Sequence, residues 1–338
     1  MAFGPAAATP VRDLQPLALR VKVTSTAFYV PPRVETASEL SAQLGRSEDW
    51  IVTRTGVRER RVADEPVEVM GARVARMALG SGPDPDLVIN ASTTARQLLP
   101  DTSAFIQSQL GFEGIPSYSI HATCLSFLVA LHSAAALIAG GAYRRVLVVS
   151  AERPCPNRNM AEPESAALLG DGAAAAVLEP TPDDEASEFL GWRMTTWPKG
   201  AGLTEVRGYG QRRDPNDPAT RPEDQLFSMD GPGVFKMARR RVAALVQQLL
   251  TDQGLGVDDI DWVVPHQASG PGLALLPRMG FAAGRIVNIV GQYGNCVAAS
   301  IPMALAHLAA NAQVQRGDRV LLVGTGAGLS VAGALLRW

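Results

Sequence analysis

Three side chains in this sequence pair useful chemistry with a setting that could expose it: Cys124, His266 and Asn295. Cys124 follows Ile120-His121-Ala122-Thr123 and opens a long Ala/Leu-rich segment, which has the composition of a helix. A thiol at the start of a helix sits at the positive end of its dipole. That setting can draw a thiol pKa from about 8.5 towards neutrality and raise the thiolate fraction. A turn from strand into helix also lifts a side chain into a cleft, as in a nucleophile elbow. The competing reading of such a cysteine is a small buried hydrophobe. His266 directly follows the apolar run Trp262-Val263-Val264-Pro265. Ligands gather at strand ends in α/β folds, and a hydrogen-bonded core histidine is the alternative. Asn295 lies in Tyr293-Gly294-Asn295-Cys296, just before a second Ala-rich segment, where asparagine also makes a good helix N-cap.

Other chemistries find less support. Gly170-Asp171-Gly172 with Ala175 imitates a dinucleotide fingerprint, but it precedes a strand-like run, whereas the fingerprint follows a strand and opens a helix. No Gly-x-Ser-x-Gly elbow is present. With no Cys-x-x-Cys pair and four scattered histidines, no metal site is expected. No pair of acids stands out as a glycosidase couple.

The elements that must position these side chains recur along the chain. An apolar run begins at Asp86 and a similar one at Asp261. The first is followed by Cys124 and its Ala/Leu-rich segment, the second by Asn295 and Ala298 to Ala306. Each then meets a β-type run, Val146 to Val149 or Val320 to Val323. Each half closes with a Gly-x-Gly turn into an apolar run, at Gly170-Asp171-Gly172 and at Gly326-Ala327-Gly328. Uninterrupted Val/Leu/Ile runs fit strands covered on both faces. Strands alternating with helices predict an α/β architecture. The ordered repetition predicts a duplicated, layered fold, α over β over α over β over α. Residues 1–19 read as a loose extension, 20–182 as the half carrying the cysteine, and 188–338 as the half carrying the histidine and asparagine. The acidic stretch Asp183 to Ser187 joins them, and the polar Pro/Arg-rich stretch Tyr209 to Gln225 reads as a surface excursion.

Bulk properties agree with a globular protein: 338 residues, 46% hydrophobic and 19% charged. A net charge of −2 argues for neither a nucleic-acid nor a membrane-surface partner. No run of about 18 apolar residues predicts a membrane span, and the N-terminus has no basic and apolar signal pattern. Three cysteines, an odd count without framework spacing, fit a reducing, cytoplasmic location.

From about Arg20 to Trp338 the chain resembles the β-ketoacyl-ACP synthase III family of the thiolase superfamily. Glu48-Asp49-Trp50-Ile51-Val52-Thr53-Arg54-Thr55-Gly56-Val57-Arg58-Glu59-Arg60 is similar to the family's N-terminal signature. Cys124 with Phe127 resembles its nucleophile segment, and Pro265-His266-Gln267-Ala268 its histidine motif. Gly294-Asn295 with Ala298-Ala299-Ser300 resembles its asparagine motif, and Gly324, Gly326, Ala327 and Gly328 its closing loop. The resemblance implies a Cys–His–Asn triad on a thiolase-like fold. Cys124 would take an acyl group from a thioester. His266 and Asn295 would stabilise the enolate formed as a malonyl-type thioester loses carbon dioxide. The backbone at Cys124 and near Ala327 and Gly326 would hold the second oxyanion.

The resemblance also implies that Trp50 and Arg54 contact the adenine end of coenzyme A and that Phe235 and Lys236 line the pantetheine tunnel. Arg239, Arg240 and Arg241 form a basic cluster further along the same segment, readable either as a dock for an acidic acyl carrier protein or as a solvated charged face. Ser269 stands where the histidine motif normally has Asn, followed by Gly270 and Pro271. Pro163 stands near a family arginine, and Thr123, Leu125 and Ser126 are bulkier than usual. These departures point to a specialised, secondary-metabolism member. Leu99 stands where head-to-head acyl-condensing relatives carry Glu, and residues near it would line a homodimer partner's pocket. Acyl-CoA or acyl-ACP are expected as substrates, with no bound cofactor. Two other readings remain open: acyl transfer to an oxygen or nitrogen nucleophile, and a non-catalytic partner subunit of a heteromeric synthase.

Overall fold

The computed structural model describes residues 18–338, apart from residues 209, 214 and 215. Most of the expected extension, residues 1–17, lies outside the described residues. Leu19, which the sequence assigns to that extension, is instead buried and exchanges backbone hydrogen bonds with Phe189.

The apolar runs become strands. The first half supplies β1 (Val21–Tyr29), β4 (Leu87–Asn90), β5 (Ser117–Ser119), β6 (Val146–Glu152) and β7 (Gly172–Pro180), which form a five-stranded sheet in the order β1-β7-β6-β4-β5. The second half supplies β8 (Glu188–Thr196), β11 (Trp262–Pro265), β12 (Arg319–Gly326) and β13 (Ser330–Arg337), in the order β11-β12-β13-β8. Read from the other edge, the second sheet repeats the first. β1 pairs antiparallel with β7, β7 antiparallel with β6, and β6 parallel with β4. β8, β13, β12 and β11 do the same in that order. The fold is the duplicated α/β architecture that the repeat predicts, in the thiolase-like form that the resemblance implies.

Side chains alternate across each strand and so feed two layers. Val146 and Val148 of β6 face the interior between the sheets, where α5 (Ser126–Ala139) and α10 (Ser300–Ala310) lie with Leu128, Leu131, Ile301 and Leu305. Leu147 and Val149 face the other way, onto Met70 and Val74 of α3 (Val67–Leu79). In the second sheet, Leu321 and Leu335 face Val246 and Leu249 of α7 (Gly231–Thr251). The layers are therefore α3, sheet, α5 with α10, sheet, α7. The two central helices are largely apolar, with His132 stacked on Trp192 and His307 packed on Phe28, as suits helices sandwiched between sheets.

Smaller elements frame this core. β2 (Arg33–Thr36) and β3 (Glu59–Val62) pair beside α1 (Ala37–Leu44) and α2 (Glu48–Thr55), and α4 (Thr102–Leu110) flanks α3. The Pro/Arg-rich excursion is tethered at its base by β9 (Thr204–Glu205) and β10 (Ser228–Met229). Arg207, just before it, and Arg213 within it pair with Asp224 at 3.0 and 3.3 Å.

Candidate active site

Cys124 lies in the turn between β5 and α5. Thr123, just before it, has φ 53°, a left-handed conformation that costs energy in a β-branched residue. Ser126 clamps the turn: its hydroxyl donates to Thr123 O at 2.7 Å and accepts the Ala122 N–H at 2.9 Å. This is the strained elbow expected at a nucleophile.

The expected thiol acidity is overturned. Burial pushes the Cys124 thiol up to about 12, and the charge of Glu152 pushes the same way. The N–H groups of Cys124 and Ala327 oppose both and do not outweigh them. The helix end is a local influence, whereas desolvation is imposed by the whole fold. The sulfur therefore waits as a neutral thiol. Its alkylation by iodoacetamide will keep climbing from pH 7 to pH 10 without a plateau, because the thiolate fraction grows as pH rises towards the folded pKa. A rate that levels off near pH 8 would mean an acidic thiol.

His266 stands one residue beyond β11, with its N–H bonded to Val323 O at 2.8 Å. It is buried, and burial pushes its imidazole down to about 4. The ring is therefore neutral at pH 7 and has one N–H to donate. Among the described residues Nδ1 has no partner. The next residue fixes the loop. Gln267 is buried, donates to Pro265 O and Val287 O, and accepts the Ile289 N–H. Gly324 leaves room for the ring: a Cβ there would come within 2.9 Å of His266 Cβ and 3.1 Å of Leu125 Cδ2.

Asn295 follows α9 (Val290–Tyr293) and Gly294, whose φ is 69°. Its backbone is stitched to the first half: Asn295 N–H donates to Leu168 O, and Gly170 N–H donates to Asn295 O. Its carboxamide oxygen accepts the Val297 N–H at 2.9 Å, so the side chain does cap the turn that leads to α10. That bond also orients the amide NH2, which reaches Ala268 O in the histidine loop at 3.4 Å. Capping and donation coexist here. Val297 has φ 45°, so each half strains a β-branched residue beside its candidate catalytic residue.

The stitch leaves no room at Gly170. A Cβ there would lie 2.1 Å from Tyr293 O. Gly170→Ala will lower stability by about 3 kcal/mol or more, read as a fall in the thermal midpoint. An unchanged midpoint would mean that the stitch is loose.

The closing loop brings these parts together. A Cβ at Gly326 would lie 2.6 Å from Thr123 Oγ, and Ala327 directs its N–H to the Cys124 sulfur. The second half's loop thus touches the nucleophile turn through Gly326 and Ala327 and the histidine through Gly324. The nucleophile turn and the histidine are thus both packed against the closing loop, and Asn295 reaches the histidine loop through Ala268 O.

Two family patterns match this chain. The one described as 3-Oxoacyl-[acyl-carrier-protein (ACP)] synthase III covers residues 118–198, and that for its C terminal covers residues 250–338. The beta-ketoacyl-[acyl-carrier-protein] synthase III of Desulfitobacterium hafniense is 33% identical over 94% of this chain and 98% of its own length. The chain belongs to the 3-oxoacyl-[acyl-carrier-protein] synthase III family. A Streptomyces coelicolor relative of the same name is 35% identical over 94% of this chain and 96% of its own. The crystal structure of the Aquifex aeolicus 3-oxoacyl-[acyl-carrier-protein] synthase III overlays with a TM-score of 0.86 at 30% identity, covering 94% of this chain and all of that one.

The other residues singled out by resemblance to this synthase family are spread more widely. Trp50 is half-buried on α2 with the Arg46 guanidinium 5.4 Å from its ring, and Arg54 is exposed on the same helix. Ser269 caps α8 (Gly270–Leu273) by accepting the Gly272 N–H. A Cβ at Gly56, which ends α2, would sit 2.8 Å from Gly270 Cα, so these two helices touch. Phe235 and Lys236 are exposed on α7. Arg239 and Arg240 are exposed beyond them, while Arg241 lies over the Trp197 ring at 4.9 Å. Leu99 is exposed, as is Leu98. Among the described residues no cluster of three His, Cys, Asp or Glu could hold a metal. Sequence reasoning passed over Glu152, a buried carboxyl close enough to act on Cys124. It reads simply as the polar end of a strand.

Proposed function

We propose that this chain loads an acyl group onto Cys124 and condenses it, with loss of carbon dioxide, onto a malonyl-type thioester to give a β-ketoacyl thioester. The observation that supports this reading is that one closing loop packs on His266 through Gly324 and offers the Ala327 N–H to Cys124, while the Asn295 amide donates into the histidine loop at Ala268 O. In the first step the Cys124 sulfur attacks the acyl thioester carbonyl. The tetrahedral oxyanion lies against the N–H groups of Cys124 and Ala327, and the departing thiolate takes up the thiol proton. In the second step the malonyl thioester oxygen faces His266 and Asn295. The bond to the carboxylate breaks, carbon dioxide leaves, and the electron pair becomes an enolate whose charge the two donors stabilise. That carbon attacks acyl-Cys124 and expels the sulfur as a thiolate, which takes a proton from water to return to the resting thiol. Neutral donors suit the enolate charge because they hydrogen-bond the enolate oxygen without giving it a proton that would quench the carbon nucleophile.

Coenzyme A and acyl carrier protein thioesters are the substrates of this reading, and it needs no bound cofactor. Trp50, Arg54 and Ser269, joined through the Gly56–Gly270 contact, and Phe235 with Lys236 are proposed to line the entry for the thioester arm. The exposed side chains of Leu98 and Leu99, and of Tyr118 on the edge strand β5, support a homodimer. Free Cys124, Cys155 and Cys296 fit a reducing cytoplasm, and no helix among the described residues is long and apolar enough to cross a membrane. The deciding experiment supplies an acyl thioester and malonyl-ACP or malonyl-CoA, and follows carbon dioxide and product together. A β-ketoacyl thioester formed in step with carbon dioxide is expected. Acyl transfer without carbon dioxide would move the chain to oxygen or nitrogen acylation.

A further inference from the structure

Glu152 ends β6 and is completely buried. Its carboxylate receives the Thr93 N–H at 2.5 Å, the Thr94 N–H at 2.9 Å and the Thr94 hydroxyl at 2.5 Å. The turn Val297–Ala299 of the other half packs against β6, and its Ala298 N–H also favours the charged carboxylate. Among the described residues no lysine or arginine forms an ion pair with it. Burying a carboxylate without a cation costs several kcal/mol, which the fold recovers only through such donors. Burial still pushes its carboxyl up to about 7 against their pull. The titratable groups that feel its charge are the Cys124 and Cys296 thiols.

The donors come from two segments that must be held in register. Thr93 and Thr94 begin the segment between β4 and α4, which follows the strand beside β6. Ala298 belongs to the short turn Val297–Ala299, whose first N–H holds the Asn295 carboxamide oxygen. Contacts therefore run from Thr94 through the carboxylate to the turn Val297–Ala299, packed on β6, whose first N–H holds the Asn295 side chain.

We infer that Glu152 is a positioning residue for condensation, tying the Thr93–Thr94 segment to the Asn295 turn so that the amide is held towards the thioester. This rests on the proposed roles of Cys124 and Asn295. Glu152 does not make the nucleophile, because its charge disfavours the Cys124 thiolate. Its contribution falls on the step that needs Asn295.

Glu152→Gln keeps the size but turns an NH2 towards donors. Loading of acyl groups, read by intact mass, is expected to stay within about threefold of wild type. Single-turnover condensation of the preloaded acyl-enzyme with malonyl-CoA is expected to slow roughly 10- to 100-fold, the scale of a small misplacement. Cys124 alkylation should shift to lower pH, because a like charge has gone. Thr94→Val removes one donor and keeps the charge. It should slow condensation less and leave the alkylation profile in place. Equal slowing of loading and condensation in Glu152→Gln, or wild-type condensation, would overturn the inference. If Glu152→Gln does not fold, wild-type condensation in Thr94→Val does so. Failure of the unmodified enzyme to load or condense would instead sink the proposed function itself.

Discussion

A Cys124→Ala variant will gain no acyl mass from thioesters that load the wild-type chain. Three thiols compete for the role, and their surroundings separate them. Cys155 is buried, with its sulfur 3.8 Å from the carbonyls of Arg61 and Leu169, and its thiol is pushed well above the ordinary range. Cys296 is buried with its sulfur 3.5 Å from Tyr293 O, and its thiol is pushed up as well. Only Cys124 among the three keeps partial exposure, and it has the Ala327 N–H beside it. Carbonyls around a sulfur repel the negative charge of an acylation transition state, whereas N–H groups accept it. Condensation in the variant should fall by a factor on the order of 10⁴ or more, as when other covalent nucleophiles are removed. Intact-mass spectrometry before and after incubation reads the first effect directly. An acyl adduct on the variant would move the nucleophile to Cys155 or Cys296.

The parts legible in the sequence are those whose signal is local or repeated. Val146 to Val149 and Val320 to Val323 read as buried strands because burial on both faces leaves no polar position. Their repetition with the Ala-rich segments before them gave the duplicated fold. The short strand Ser117–Ser119 carries no such signal, since its edge position leaves Tyr118 exposed. Cys124, His266 and Asn295 were legible as candidates because each stands at a junction of elements. What joins them was not, because it lies in contacts between distant segments. The acidity of Cys124 was misread for the same reason: a helix start is visible in sequence, and the burial that outweighs it is not. Glu152 went unread because its donors, Thr93, Thr94 and Ala298, are scattered over both halves.

Asn295→Ala separates the two half-reactions more sharply than any other single change. Loading depends on the sulfur and on the N–H groups of Cys124 and Ala327, which the substitution leaves alone. It should stay within a few-fold of wild type by intact mass. Decarboxylation depends on the enolate donors, and loss of one of two should slow carbon dioxide release roughly 100- to 1,000-fold. His266 remains and stays neutral well below pH 7, because burial has pushed its imidazole to about 4. Titration of His266 should therefore leave no step in the residual rate between pH 6 and pH 8. Asn295→Asp sharpens the test. It can still accept the Val297 N–H and cap the turn, so the fold is preserved, but it puts an acceptor and a negative charge where the enolate forms. If the amide acts as a donor, Asp will be slower than Ala despite better preserving the shape. If it acts only as a cap, Asp will be the faster of the two. Blocked loading in Asn295→Ala would break the division of labour between the two donor pairs.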